Sequence, residues 1–188
     1  MQRLSVLGLI LIFFLSWNHP QGEDLPTTFI TRNGNISFTS DAPLELIKAE
    51  SKKLYGIIDL SKNKLAFSVS MNSFQGFQGR LQKEHFQEKF LETTRYPKGV
   101  FNGKLISKTP ITTFGTYPVR AKGTLDIHGV KKDRIIYGNL VVDKTGIHLS
   151  SSFTISIQEH GITVPTIVNQ KIASEIDIEI DAQLTPKE

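Results

Sequence analysis

The sequence predicts an all-β protein whose antiparallel strands share one apolar face. Three observations carry this reading. From residue 35 onward the chain alternates with a period of two, and turn signals recur at intervals of about ten residues. Near the C-terminus, Ile176, Ile178, Ile180, Ala182 and Leu184 fall on one side of a segment whose other side is Glu175, Asp177, Glu179, Asp181 and Gln183. Such a segment buries one face and wets the other. No strand-helix-strand alternation of the dinucleotide-binding kind is present. Sheets of this sort pack as a sandwich or close into a barrel, and closure removes exposed edges.

Taken in order, "NISFTS" (35–40), "LELIKA" (44–49), "KLYGIIDL" (53–60) and "KLAFSVSM" (64–71) read as strands, with Ser61, Lys62 and Asn63 turning between the third and fourth. "GVFNGKLI" (99–106), "TYPVRAKGTLDIH" (116–128), "DRIIYGNLVV" (133–142), "GIHLSSSFTISI" (146–157) and "SEIDIEIDAQL" (174–184) follow. Between the two groups, residues 79–92 break the alternation. Gly79 can open a helix, and Leu81, His85, Phe86, Phe90 and Leu91 recur at helical spacings while Lys83, Glu84, Gln87 and Glu88 are left for solvent. One or two short helical turns are expected there, ended before Pro97.

Residues 1–22 are read as an export signal. Arg3 precedes "LSVLGLILIFFLSW", an apolar run shorter than the roughly 20 residues of a relaxed membrane span. Gly22 is the best cleavage candidate, and an uncleaved N-terminal anchor is the alternative. The chain has no Cys, which excludes a disulfide framework and a lipid-modified N-terminal cysteine. Residues 23–188 then form one domain, with no transmembrane span in the mature chain. Lys and Arg number 22 against 18 acids. The basic residues are scattered singly or in pairs among the acids, without the dense stripe of a nucleic-acid groove, so no nucleic-acid partner is expected.

Catalytic patterns are missing: no G-x-S-x-G, H-E-x-x-H, phosphate-binding loop or G-x-G-x-x-G occurs. Glu84 and His85 are helical neighbours and point apart. His128 reads as a turn histidine bonding nearby backbone, and His148 and His160 have no second ligand at a metal-like spacing. Neither a catalytic residue, a metal nor a cofactor is expected. Gly76-Phe77-Gln78-Gly79 matches a G-x-x-G loop without a cation between its glycines, and Asn35-Ile36-Ser37 is a glycosylation sequon by pattern only.

What remains is an aromatic surplus. Of twelve Phe, Phe13 and Phe14 lie in the export segment, and four of the other ten (Phe74, Phe77, Phe86 and Phe90) fall between residues 71 and 97. Phe38, Phe67, Phe101, Tyr117 and Phe153 lie on strands. They fill a core or line an interior that the barrel's own side chains leave open.

"FQGFQGRLQKEHFQEKFLETTRYPKGVFNGKL", "GTYPVRAKGTLDIHGVKK" and "HGITVPTIVNQKIASEIDIEI", in this order, resemble the YceI-like family over roughly residues 27–184. The resemblance implies an elongated eight-stranded antiparallel barrel of lipocalin-like design that encloses an isoprenoid or other lipid chain, in the periplasm or secreted. It implies that Leu81, His85, Phe86 and Phe90 sit near one barrel end, that Tyr96, Pro97 and Phe101 lead into the next strand, and that His128 and Gly129 make a hairpin turn. Glu159 and His160 stand where the family commonly has an acid and an aromatic. On this reading Phe67, Phe77, Phe86, Phe90, Phe101 and Phe153 are the expected apolar lining, with Arg80, Arg95 and Tyr117 as head-group contacts. A homodimer is left open. The alternatives are a filled barrel acting in the envelope through protein partners, and a lipid-directed enzyme using His85 or His128.

Overall fold

The computed structural model describes residues 25–187, and the expected export segment at 1–22 lies outside the described residues. Eight strands run in chain order: β1 (Thr28–Ala42), β2 (Glu45–Asp59), β3 (Lys64–Ser70), β4 (Lys98–Ser107), β5 (Gly115–Ile127), β6 (Val130–Asp143), β7 (Gly146–Ser156) and β8 (Glu175–Pro186). Each pairs antiparallel with the next, and β1 pairs with β8, so the sheet closes on itself as a barrel. The alternation in β8 is the pattern of the whole wall: Ile176, Ile178, Ala182 and Leu184 are buried inside while the intervening acids are exposed.

Nine segments read as strands become eight. The segments expected at 44–49 and 53–60 both fall on β2 (Glu45–Asp59), and the polar Glu50-Ser51-Lys52 between them is strand rather than turn. The alternation is broken because β1 and β2 slip register there: Gly34 pairs with Leu54, but Ile36 pairs with Ser51. Ser51 consequently points inward. Its hydroxyl lies 2.6 Å from that of Ser73, which satisfies an otherwise stranded polar group. β1 begins at Thr28, ahead of the alternation at 35, and continues through Gly34. A Cβ at Gly34 would fall 2.8 Å from Ala182 Cβ, so glycine lets β1 and β8 approach here.

Antiparallel order sorts the connections onto two ends. The β1–β2 turn, the long 71–97 connection, the β5–β6 turn and the 157–174 connection share what we call the insert end. The β2–β3, β4–β5 and β6–β7 connections share the opposite end with both termini of the barrel. At that opposite end Asp59 accepts from Ser61 Oγ at 2.6 Å and from the Lys62 N–H at 2.9 Å, closing the expected 61–63 turn.

β3 is half the length of β2 and pairs with it only from Tyr55 to Asp59. The rest of that β2 edge is met by the connection itself. After a 3-10 turn at Met71–Ser73, Gln75 exchanges two backbone hydrogen bonds with Glu50, each 2.8 Å. Gly79, at φ 110°, then opens α1 (Arg80–Glu84), which runs directly into a wider π-type turn at His85–Phe90. The helical expectation for 79–92 is met by these two pieces. The insert fills the place of the missing half-strand.

Candidate functional site

The barrel interior holds a cavity of about 130 Å³ whose lining includes no charged side chain. It runs beside inward positions 99–105 of β4 and 119–127 of β5. At roughly 3.3 Å per residue the β5 stretch alone is ~26 Å long, so the space is narrow and extended. An apolar cavity of ~150 Å³ stays dry and admits a benzene-sized guest, and small-molecule sites usually exceed ~300 Å³. The interior is therefore largely but not wholly filled. It offers a carbon-lined path without a charged group.

Phe67, Phe101 and Phe153 line this cavity. Phe67 and Phe101 are cross-strand partners on β3 and β4, and both are buried. The lining also includes Ile36, Leu54, Leu140 and Ile178.

Phe77, Phe86 and Phe90 do not line it. Phe77 and Phe86 instead join Phe38 of β1 and Phe74 in a ring cluster at the insert end. Phe38 and Phe86 stack at 5.3 Å between centroids and 12° between planes. Phe86 lies 5.0 Å from Phe77 and 5.9 Å from Phe74, and Phe38 lies 5.4 Å from Phe74. Phe38 is two residues from the cavity-lining Ile36 on the same face of β1, and Phe74 follows the cavity-lining Met71. The cluster thus sits where the cavity approaches the insert end. Phe90 packs against the core from the π-type turn.

The three head-group candidates are not brought together. Arg80 is exposed on α1 and paired with Glu84 at 2.6 Å. Arg95 places its guanidinium 5.0 Å from the Tyr96 ring centroid. Both belong to the insert end. Tyr117, on β5, lies toward the opposite end, where its hydroxyl donates to the Thr113 carbonyl at 2.9 Å.

A second constellation at the insert end joins three connections. His128, at φ 55°, directs Nε2 to Glu92 Oε2 at 3.1 Å and Nδ1 to the His160 carbonyl at 3.2 Å. Its bond partners are thus in the two other connections, rather than in nearby backbone as its turn position suggested. His160 is fully buried, and its Nδ1–H donates to the Val130 carbonyl at 3.2 Å while Nε2 has no partner. Burial holds its imidazole below the ordinary histidine range, and the bonds to backbone carbonyls only partly offset this. Tyr96 closes the group, with its ring 4.5 Å from that of His128. A Cβ on Gly129, at φ 72°, would meet the Tyr96 ring at 2.5 Å, so both conformation and contact require glycine. His85 lies outside this group, on the π-type turn. Among the described residues, no three His, Asp or Glu side chains converge as a metal site would need.

Sequence reasoning missed Phe38 and Phe74 as members of the ring cluster and missed the Glu92–His128–His160 tie. Their sequence separations give no local signal. A histidine in a Gly turn and a second one before "GI-x-VP" were visible, but not their convergence.

A family profile described as a YceI-like domain matches residues 28–184. Solved structures share the fold at low identity. A polyisoprenoid binding domain from Saccharophagus degradans, implicated in plant cell wall breakdown, is 14% identical, with a TM-score of 0.73 over 87% of this chain and 100% of that one. Burkholderia cenocepacia BcnA is 15% identical, with a TM-score of 0.64 over 82% of this chain and 96% of that one. The Campylobacter jejuni YCEI protein is 21% identical, with a TM-score of 0.58 over 76% and 86% respectively. No curated protein matches the chain.

Proposed function

Since the chain belongs to the YceI-like domain family, we propose that it is an exported, non-enzymatic binding protein that encloses a long apolar isoprenoid or other lipid chain in its barrel. The observation that carries this reading is the extended, carbon-lined cavity with Phe67, Phe101 and Phe153 in its wall. The likeness to a polyisoprenoid binding domain supports the ligand class. Each buried methylene contributes about 0.8 kcal/mol, so a chain of ten carbons gains on the order of 8 kcal/mol before ordering costs. Such a site works without a catalytic group.

Because the open space is small, a long chain enters by displacing side chains. The rings of Phe38, Phe74, Phe77 and Phe86 are the movable stopper at the insert end, and the wall residues stay in place. Export to the periplasm or beyond is assigned to the apolar segment after Arg3.

The small volume favours a second reading, a barrel complete without ligand that acts through a protein partner. Competition separates the two. The only Trp is Trp17, within the export segment, so the mature chain reports poorly on its own fluorescence. An environment-sensitive apolar dye, loaded into the delipidated mature protein, should be displaced by prenols with affinity rising with chain length. Failure of the dye and of every prenol to bind supports the filled barrel instead.

A further inference from the structure

The barrel wall is not laced along its whole circumference. β6 and β7 pair from Asp143↔Gly146 only as far as Gly138↔Ser151, and no pairing joins residues 130–137 of β6 to residues 152–156 of β7. Each stretch is held as strand from its other side, β6 by β5 and β7 by β8. The last rung closes tightly on glycine, since a Cβ at Gly138 would fall 2.9 Å from the Ser150 carbonyl oxygen. There the Ser151 hydroxyl donates to the Tyr137 carbonyl at 2.6 Å, and beyond this bond the two edges part. The other interruptions of the sheet are covered. The β1–β8 irregularity has rungs on both sides, and the short β3 is prolonged by the bonds of Gln75 to Glu50.

Farther along, the gap is bridged by the chain that follows β7. From the 3-10 turn at Gln158–His160, Glu159 pairs with Arg134, and the buried His160 donates to the Val130 carbonyl at 3.2 Å. Between the last rung and this strap lies a window edged on β6 by residues 135–137, a length of ~10 Å at roughly 3.3 Å per residue.

The cavity reaches both edges of the window. Ile136, Tyr137 and Gly138 line it from β6, and Leu149, Ser151 and Phe153 line it from β7. The outer lip on β6 is apolar as well, with Ile135 and Tyr137 exposed by 52% and 64%. Phe153 shares a cross-strand row with Ile178 of β8 and Phe38 of β1, so the window opens at the level of the stopper rings. Widening it breaks no bond of the strand ladder, and the strap's ion pair joins two partly exposed side chains that solvent screens.

We propose that this window is a side portal through which an apolar chain enters and leaves the barrel, with the Arg134–Glu159 pair as its latch. The portal presupposes the enclosed lipid proposed above. A chain passing Ile136 and Phe153 meets the ring of Phe38 from the side, so portal and stopper belong to one route.

Cross-linking the window tests this. The chain has no Cys, so Ile135→Cys with Thr154→Cys supplies the only two thiols, neither of them in the cavity lining. A short bis-methanethiosulfonate joins them, with linkage confirmed by intact mass. Lys104→Cys with Lys122→Cys, which face each other on the paired β4–β5 seam, is the control. Nile red and geranylgeraniol are the probes. Linking the window should slow Nile red loading and release about tenfold or more, leave the equilibrium affinity little changed, and be reversed by reductant. Linking the control pair should leave the rates unchanged. Glu159→Gln, which removes the latch, should quicken release several-fold, and it decides the matter if the linker does not span the window. Nile red that binds and exchanges at the same rate in linked, unlinked and Glu159→Gln protein overturns the portal and leaves the cargo reading standing, as does equal slowing by the control link. Failure of the unmodified protein to bind either probe overturns the cargo reading and the portal with it.

Discussion

Phe67 on β3 lies across Gly56 on β2, and its ring occupies the place where a side chain at 56 would stand: a Cβ there would fall 2.2 Å from Phe67 Cε1. The glycine is what lets a cavity-lining ring lie flat on the wall instead of projecting across the interior. Sequence alternation marks position 56 only as a weak point in a strand.

Gly56→Ala should accordingly destabilise the barrel by about 1–3 kcal/mol, as overpacking does. Urea denaturation measures the loss. Phe67→Leu in the same chain should recover part of it, and strictly additive effects of the two changes would contradict the contact.

Ala121 is buried and lines the cavity. Ala121→Leu adds carbon to open space, so its stability should match or exceed that of the parent by up to ~1 kcal/mol. Its bound lipid should fall several-fold. Unchanged lipid content would place the ligand elsewhere.

Phe86→Ala removes the ring shared by Phe38, Phe74 and Phe77. The ring is only half-buried, so the cost should lie near or below the ~3 kcal/mol low end for a buried Phe. Dye release followed in stopped flow should quicken more than tenfold if the cluster is the stopper. A loss of stability with unchanged release would make the rings ordinary packing.

The buried His160 gives a pH dependence of definite sign. Its folded-state pKa is lowered, so the unfolded chain binds the proton more readily once pH falls below about 6.5. Stability should therefore decline as pH drops from about 7 through 6.5 and stop declining through this group only below its folded pKa. His160→Phe, compared by urea denaturation at each pH, should flatten that decline while costing about 1–2 kcal/mol for the lost bond to Val130. Asp59, held well below the usual carboxylate range by its bond from Ser61, acts lower, with stability lost as pH falls below about 4. An equal slope in His160→Phe between pH 7 and 5 would exclude the buried imidazole as its source.

Much of the barrel was legible because one buried face imposes a period of two. β8 was plain from Ile176 to Leu184. The junction within β2 was not, because a register slip at Gly34 and Ser51 turns a polar residue inward and imitates a turn. The helical insert was legible from spacing, whereas its partners were not: Phe38 is 48 residues from Phe86, and nothing local announces their stacking. Phe67, Phe101 and Phe153 could be assigned to the interior by strand parity. Phe77 and Phe86 were aromatic residues in a connection, where parity gives no direction. The tie of Glu92 to His128 depends on two loops meeting, which pattern alone does not specify.

The central claim is that the barrel holds an apolar chain. Mature protein purified without detergent from its native host, extracted with organic solvent and analysed by mass spectrometry with a protein standard, tests it most directly. About one isoprenoid or other long-chain lipid per barrel is the expected result, depleted in Ala121→Leu. A parent protein that yields no lipid at comparable molar amount, yet folds fully, would contradict the account and establish a barrel complete in itself.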